Sequence, residues 1–385
     1  MHSEKLINMA GIYLHIPFCK TRCIYCDFYS TTRSEMTDRY VSALCRELEL
    51  RKSYLDKEPV ETIYFGGGTP SQLSKENFEK IFETIEREYN LEQCSEITLE
   101  ANPDDLTPEY IKMLESLPFN RISIGIQTFN ERTLRLLKRR HTAEQAISAV
   151  KECRMAGFKN ISIDLMYGLP GETPESWKAD LEQAVDLNVE HISAYHLIYE
   201  EGTPLYEMLQ KHKVEEVDEE SSVDFFALMI GRLTEAGFQH YEISNFCKPD
   251  KHSQHNSSYW TGKKYLGCGP SAHSFNGSTR QWNVSSLDKY IAGIEKGIPD
   301  FEIEELNVTT RYNDFVITSL RTMWGLSLNR LEEEFGTEFK QYCLENAQTY
   351  LDSGKLEIRD NTLFLSKEGI FISDGIMSDL LWVED

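Results

Sequence analysis

The stretch Tyr13-Leu-His-Ile-Pro-Phe-Cys19-Lys-Thr-Arg-Cys23-Ile-Tyr-Cys26 decides how this chain is read. It opens as an apolar run of strand character and ends in three cysteines spaced C-x3-C-x2-C. A strand that delivers three thiols to one tight loop marks the start of a site. Thiolate is the soft ligand that iron–sulfur clusters take, and three thiolates can hold three irons of a cubane while a fourth stays open to an outside ligand. A zinc knuckle with His15 or Asp27 as fourth ligand is the alternative. Zinc sites, however, pair C-x2-C with a second distant pair that this chain lacks. The other six cysteines, Cys45, Cys94, Cys153, Cys247, Cys268 and Cys343, are scattered. They read as buried small hydrophobes in a reducing compartment, with Cys247 and Cys268 as weaker candidate thiolate ligands.

Outward from that loop, short β-branched runs alternate with helical patterns. The runs are Gly11–Ile16, Thr62–Phe65, Glu96–Glu100, Arg121–Ile126, Asn160–Leu165 and His191–His196; helices are expected to start near Ser34, Ser71, Pro108, Glu131, Thr142 and Thr173. Thr107 before Pro108 and Thr173 before Pro174 are helix-start signals, with proline at the first helical position. Six β–α units imply a parallel sheet with right-handed crossovers. Six is fewer than the eight that close a full barrel. The expected fold is therefore α/β, a partial, open (β/α)6 barrel of the TIM type, with a doubly wound sheet as the alternative. Cys19, Gly66–Gly68, Glu100, Gln127, Asp164 and Tyr195 fall at or just past the C-terminal ends of their strands, the end that carries the ligand site in such folds.

Beyond residue 205 the pattern changes. Lys211–Glu220 is charge-rich and reads as surface helix or linker, followed by a helix over Val223–Ala236 and a strand over Gln239–Asn245. Cys247–Asn283, rich in Ser, Asn, Gly and aromatics, reads as mostly loop. Helices around Tyr312–Met323, Ser327–Phe335 and Glu338–Ser353 then precede two strands, Leu356–Arg359 and Thr362–Leu365, a winged-helix-like arrangement without a basic stripe.

Composition bounds the function classes. The 385 residues carry 63 acidic and 40 basic side chains, a formal charge of -23, which disfavours nucleic acid and anionic membranes as partners. No apolar run reaches the length of a membrane span, and the first residues lack the apolar core of a signal peptide, so a cytoplasmic protein is expected.

At the cysteine loop the chain resembles the radical S-adenosylmethionine (SAM) enzymes, and more narrowly oxygen-independent coproporphyrinogen III oxidase and its relatives. The resemblance continues through Phe65-Gly66-Gly67-Gly68-Thr69-Pro70, Glu100 in Leu-Glu-Ala-Asn-Pro, Gln127 in Ile-Gly-Ile-Gln, Arg139, and Asp164 in Ile-Asp-Leu-Met-Tyr-Gly-Leu-Pro. It implies a [4Fe-4S] cluster on Cys19, Cys23 and Cys26 whose open iron chelates SAM, and reductive cleavage of the sulfonium to methionine and a 5′-deoxyadenosyl radical. It places Tyr13, Gly66, Gly67, Gly68, Thr69, Glu100, Gln127, Arg139 and Asp164 around the cofactor. By residue type alone the glycines could merely make a turn, Glu100, Arg139 and Asp164 could be structural pairs, and Tyr13 a buried strand tyrosine. The division implied is a radical SAM core over 1–205, a barrel extension over 206–305 and a C-terminal winged-helix-like domain over 306–385.

Two departures narrow the resemblance. Phe28 stands where the oxidases continue with a further cysteine, and Cys19 lies close to the start of the chain. Both weigh against porphyrinogen oxidation, which remains the alternative activity. Conversely, His255-Asn256-Ser-Ser-Tyr259-Trp260 and Tyr265-Leu-Gly-Cys-Gly-Pro-Ser-Ala-His273 resemble the heme-chaperone branch. That branch implies heme held by His255, Asn256, Tyr259 and Trp260, heme-accepting partners such as respiratory enzymes, and an electron donor of flavodoxin or ferredoxin type. By residue type alone, His255–Trp260 could be a polar loop with two aromatics tucked onto the barrel. A zinc-bearing interaction protein is the third class.

Overall fold

The computed structural model describes residues 9–383. Residues 1–8, on which the expectation of no signal peptide partly rests, lie outside the described residues. The first strand, β1 (Ala10–Ile16), is followed by α1 (Thr37–Leu50), β2 (Val60–Gly67), α2 (Lys75–Glu88), β3 (Glu96–Ala101), α3 (Pro108–Leu114) and β4 (Arg121–Gln127). Two helices, α4 (Glu131–Leu136) and α5 (Ala143–Met155), lead to β5 (Ile161–Tyr167), then α6 (Pro174–Asp186) and β6 (His191–His196). Neighbouring strands from β1 to β6 pair in parallel and in chain order. Strands covered on both faces need nearly continuous apolar sequence, and β2 supplies it with Ile63, Tyr64 and Phe65, all buried. Capping boxes at Ser74, Thr142 and Thr173 start α2, α5 and α6 where the side chains satisfy the first free backbone N–H groups.

The sheet does not close. β6 pairs with β8 (Asn245–Cys247), which follows α7 (Pro204–Gln210), α8 (Glu219–Glu235) and β7 (Gln239–Glu242). On its other side β1 pairs in parallel with β9 (Tyr265–Cys268), which comes after the short helix α9 (Gln254–Trp260). The sheet continues through β10 (His273–Phe275) and β11 (Thr279–Asn283), then, past α10 (Leu287–Glu295), β12 (Phe301–Glu305), giving twelve strands among the described residues, with β12 and β7 outermost and β7 partly covered by the Thr322–Met323 backbone. The open, partial barrel expected from six β–α units is what forms.

Two expectations are corrected. The strand over Gln239–Asn245 is a hairpin of two strands, β7 and β8. The stretch Cys247–Asn283 is not mostly loop: it holds α9 and three strands. These strands are only three to five residues long, and long-range side chains lock them in place. Buried Arg51 on the end of α1 donates to the Gly267 carbonyl (2.9 Å), Ser274 Oγ (3.0 Å) and Gln281 Oε1 (2.9 Å). Its neighbour Glu47, fully buried, accepts from Gly269 N (2.8 Å), Asn283 Nδ2 (2.7 Å) and the Tyr290 hydroxyl (2.6 Å). At Gly267 a Cβ would lie 1.9 Å from the His273 carbonyl oxygen, so only glycine admits the β9–β10 crossing.

The C-terminal segment has its own apolar core. α11 (Val308–Leu320), β13 (Leu326–Ser327), α12 (Leu328–Phe335), α13 (Thr337–Asp352), β14 (Leu356–Arg359), β15 (Thr362–Leu365) and α14 (Ser373–Asp379) pack around Tyr312, Leu331, Leu363 and Ile376. The helices α11, α12 and α13 and a three-stranded sheet ordered β13-β15-β14 make a winged-helix-like unit, with α14 packed on it. No helix among the described residues is long and apolar enough to cross a membrane.

Candidate cluster and cofactor site

A cavity of about 500 Å³ opens at the C-terminal ends of the parallel strands. Cys19, Cys23 and Cys26, all half-buried, line one side of it. The loop that carries them is fastened at several points. Cys19 N donates to the Thr31 carbonyl (2.9 Å), and Lys20 reaches the buried Asp105 (2.7 Å), which also accepts from Ser71 Oγ and Gln72 Nε2. Asp105 therefore ties the cysteine loop to the turns that follow β2 and β3.

The thiols have the surroundings of metal-binding thiolates. Thr69 Oγ1 lies 3.4 Å from Cys19 Sγ, and Arg139 Nη1 lies 3.5 Å from Cys23 Sγ. Burial, with the neighbouring thiols Cys23 and Cys19 adding to it, pushes the Cys26 thiol up to about 11. Deprotonated together, three thiolates in one half-buried loop would repel one another, so they would need positive charge beside them, which an iron–sulfur cluster would supply. His15 is not available as a zinc ligand: its Nε2 donates to the Tyr29 carbonyl (2.9 Å), its Nδ1 pairs with the Tyr13 hydroxyl (3.1 Å), and the ring is 4% exposed. Among the described residues no three His, Cys, Asp or Glu converge on one ion.

The opposite wall is acidic. Glu100, on β3, accepts from the Tyr64 hydroxyl (2.7 Å) and from Gly67 N (3.2 Å). Burial pushes its carboxyl up to about 7, with nearby Asp164 adding to the rise and the Tyr64 hydrogen bond opposing it. Asp164, on β5, accepts from Ser123 Oγ at 3.3 Å and is likewise raised by burial. Gln127 ends β4 with φ at +71°, next to a register shift at Gly125, so a bulge turns its side chain into the cavity. Asn102, Tyr195 and Met166 complete the wall, and Phe28 (65% exposed) and Ile198 (65%) make an apolar rim at the mouth.

Several expected site residues stand elsewhere. Tyr13 does not reach the cavity; it is packed behind Gly66 and spends its hydroxyl on His15. Gly66 is also outside the wall, since a Cβ there would meet Tyr64 (2.9 Å), Tyr13 (3.0 Å) and Glu100 (3.1 Å). Gly67 and Gly68 do line it, and a Cβ on Gly68 would sit 2.8 Å from the Pro17 backbone, so the glycines let β2 pass close to the cysteine loop. Arg139 does line the cavity; among the described residues it pairs with no carboxylate and donates to Asn102 Oδ1 (2.7 Å), the Gly125 carbonyl and Cys23. Cys247 and Cys268 are at most 1% exposed in the core and face no site.

The His255–Trp260 motif is a helix, α9, and its residues part company. α9 caps the opposite end of the strands: Glu96, the first residue of β3, accepts from Gln254 N and His255 N, both at 3.0 Å. Asn256 reaches the cysteine cavity. His255, 1% exposed, pairs its Nδ1 with Thr62 Oγ1 (2.8 Å) and its Nε2 with the Tyr259 hydroxyl (2.9 Å). Burial lowers its ring to about 3, so it is neutral, and neither nitrogen is open to an iron in this conformation. Tyr259 and Trp260 face a separate groove of about 390 Å³. The residues that the sequence reading missed are Asp105, Asn102 and Thr62; each is an ordinary polar residue whose role only the fold reveals.

Comparison with known proteins agrees with this geometry. The profile of the Radical SAM superfamily matches residues 13–184, and that of the HemN C-terminal domain residues 306–372. The chain is 35% identical to "Heme chaperone HemW" of Mycobacterium tuberculosis over 96% of its own length and 94% of that protein. It is 33% identical to the Bacillus subtilis protein of the same name, covering 97% and 99%. Its fold is similar to that of "Coproporphyrinogen III oxidase (HemN) from Escherichia coli", with a TM-score of 0.84, 24% identity and coverage of 97% and 90%.

Proposed function

The chain belongs to the coproporphyrinogen III oxidase-like family of radical SAM proteins, in its HemW branch, and from that membership we propose that it is a heme chaperone. It binds heme and passes it to acceptor proteins, respiratory heme enzymes among them, in the cytoplasm. The observation that carries this reading is likeness to heme chaperones along nearly the whole length of both chains. Phe28 agrees with it, because an exposed phenyl replaces the further cysteine of the oxidase pattern beside Cys26.

Cys19, Cys23 and Cys26 would hold a [4Fe-4S] cluster, with Thr69 and Arg139 as donors to its sulfur ligands. When bound and reduced by a small electron carrier, the cluster supplies an electron to the sulfonium of SAM. The protein's own part is positioning. Glu100 and Asp164 present carboxylate oxygens where a ligand amine or ribose would lie, and Gln127 and the Gly67–Gly68 backbone close around the remainder. Arg139, already spent on Asn102 and Gly125, keeps its charge beside Cys23.

The test is anaerobic reconstitution. The reading expects about four irons per chain, as one cubane requires, an EPR signal of the reduced cluster that SAM perturbs, and a stable complex with ferric heme. Iron without heme binding would overturn the chaperone assignment, and zinc in place of iron would overturn the cluster.

A further inference from the structure

The face around the cysteine loop is basic, on a chain that is strongly acidic as a whole. Residues 132–140 hold Arg132, Arg135, Lys138, Arg139 and Arg140, five of the chain's 40 basic side chains, against a formal charge of -23. They lie on the outside of α4 and on the turn after it. The fold brings that turn onto the cysteine loop. Ile24 N donates to the Leu137 carbonyl (3.4 Å), and Lys20 and Arg140 both reach Asp105 Oδ1, at 2.7 and 3.2 Å. Arg22, exposed, stands at the mouth of the cavity.

These charges are not balanced within the fold. Asp104 and Asp105 neutralise Arg140 and Lys20, and Glu131 lies 3.7 Å from Arg135. Arg22, Arg132 and Lys138 are exposed and form no ion pair among the described residues. Lys138 also takes a left-handed backbone, with φ at +57°, where the chain leaves α4 and Arg139 N bonds back to the Leu134 carbonyl (2.9 Å). Glycine is the usual occupant of that place at a helix end. A lysine there accepts backbone strain and puts a surface cation next to Arg139, the residue that contacts Cys23.

We propose that this face is the docking surface for a small acidic electron-carrier protein. The proposal rests on the cluster assigned above and deepens it by naming where the electron enters. Arg139 belongs to the basic run and lies 3.5 Å from Cys23 Sγ, so one side chain spans from the patch to a thiol. Encounters between redox proteins are small and brief, and opposite charge brings the partners together more than buried area does. An anionic bilayer fits less well. A flat negative surface would meet exposed Asp27 and Glu200 and the acidic remainder of the chain, whereas a small protein covers the patch alone. With a flavin carrier, the anionic hydroquinone gives up one electron and becomes the neutral semiquinone. The cluster takes that electron, and no proton moves.

The experiment measures docking apart from turnover. Oxidised flavodoxin and, separately, an oxidised acidic [2Fe-2S] ferredoxin are titrated by calorimetry into the anaerobically reconstituted full chain at low and high ionic strength. The same titrations use Arg132→Glu, Lys138→Glu and Lys367→Glu variants. Lys367, exposed on the C-terminal unit, makes the same change of net charge away from the cysteine loop. Iron content and circular dichroism check that each variant is folded. At least one carrier should bind, and binding should weaken as salt screens the charges. Arg132→Glu and Lys138→Glu should each weaken it by about threefold to tenfold, and slow second-order reduction by the flavodoxin hydroquinone to the same extent. Lys367→Glu should stay within about twofold of the parent, because a surface change away from the interface costs little. The perturbation of the chemically reduced cluster's EPR signal by SAM should be the same in all, which separates a lost encounter from a damaged site. Failure of both carriers to bind, or equal weakening in all three variants, would overturn the docking face and leave the cluster and the chaperone reading standing. So would capture on phosphatidylglycerol vesicles that the two patch variants abolish while carrier binding stays intact. A reconstituted parent without iron would overturn the cluster, and the docking face with it.

Discussion

Cys23 sits within reach of a guanidinium, and Arg139 is held there by Asn102 and the Gly125 carbonyl rather than by a carboxylate. A fixed positive charge beside one sulfur ligand favours the reduced, more negative cluster. Arg139→Gln should therefore lower the cluster's reduction potential, read by EPR-monitored titration, with iron content near that of the parent. An unchanged potential would show that Arg139 only packs the loop. Cys23→Ala should lose most of the iron and its visible absorbance, whereas Cys343→Ala, buried in the C-terminal core, should keep both. Glu100 gives a pH prediction. Burial, with Asp164 adding to it, pushes its folded carboxyl up to about 7, against about 4.3 in an unfolded chain. The folded state thus holds the proton over that interval, and stability falls as pH rises from about 4.3 to about 7. Glu100→Gln, with SAM absent, should then be more stable than the parent at pH 8 by at most ~4 kcal/mol, and the gain should vanish near pH 4. The parent should also bind SAM more tightly as pH passes 7, and the variant should lose that dependence. Chemical denaturation and ligand titration at several pH values check both.

At the scale of elements, the six parallel strands and the cysteine loop could be read in advance because their signals are local: apolar runs, start signals, close-set thiols. Gly66 and Tyr13 show where that stops. Their spacing fits a cofactor wall, yet the parallel register of β1 and β2 sets Tyr13 and Gly66 against each other in the packing behind it. α9 shows it again. Gln254–Trp260 is too short and too polar to announce a helix, and it forms because Ser253 caps it and Glu96, some 158 residues earlier, receives its first N–H groups. Removing that acceptor should loosen the helix. Glu96→Ala should cost about 1–3 kcal/mol, the price of leaving buried donors unsatisfied. In hydrogen exchange, residues 254–260 should lose protection while β3 keeps its own. Equal protection would mean that α9 is held by its apolar contacts alone.

For the whole molecule, Glu47 and Arg51 decide whether the second half of the chain joins the first. Together they receive or make bonds to β9, β10, β11 and α10, more than 200 residues away. No local signal marks that network, which is why Cys247–Asn283 resembles loop. Arg51→Met leaves Glu47 buried without its cation and should destabilise the protein by about 3–5 kcal/mol, measured by urea unfolding. A thiol-lined, acidic cavity lies at one end of the barrel and an aromatic groove with arginines at the other, with α9 between them. The account's central claim is that this architecture serves heme handling rather than porphyrinogen oxidation. It is tested most directly on one anaerobically reconstituted sample, reduced and supplied with SAM, assayed in parallel for ferric heme binding and for conversion of coproporphyrinogen III. A heme chaperone should hold roughly one heme per chain and release no decarboxylated porphyrin. Steady turnover of coproporphyrinogen by a sample that retains no heme would contradict it.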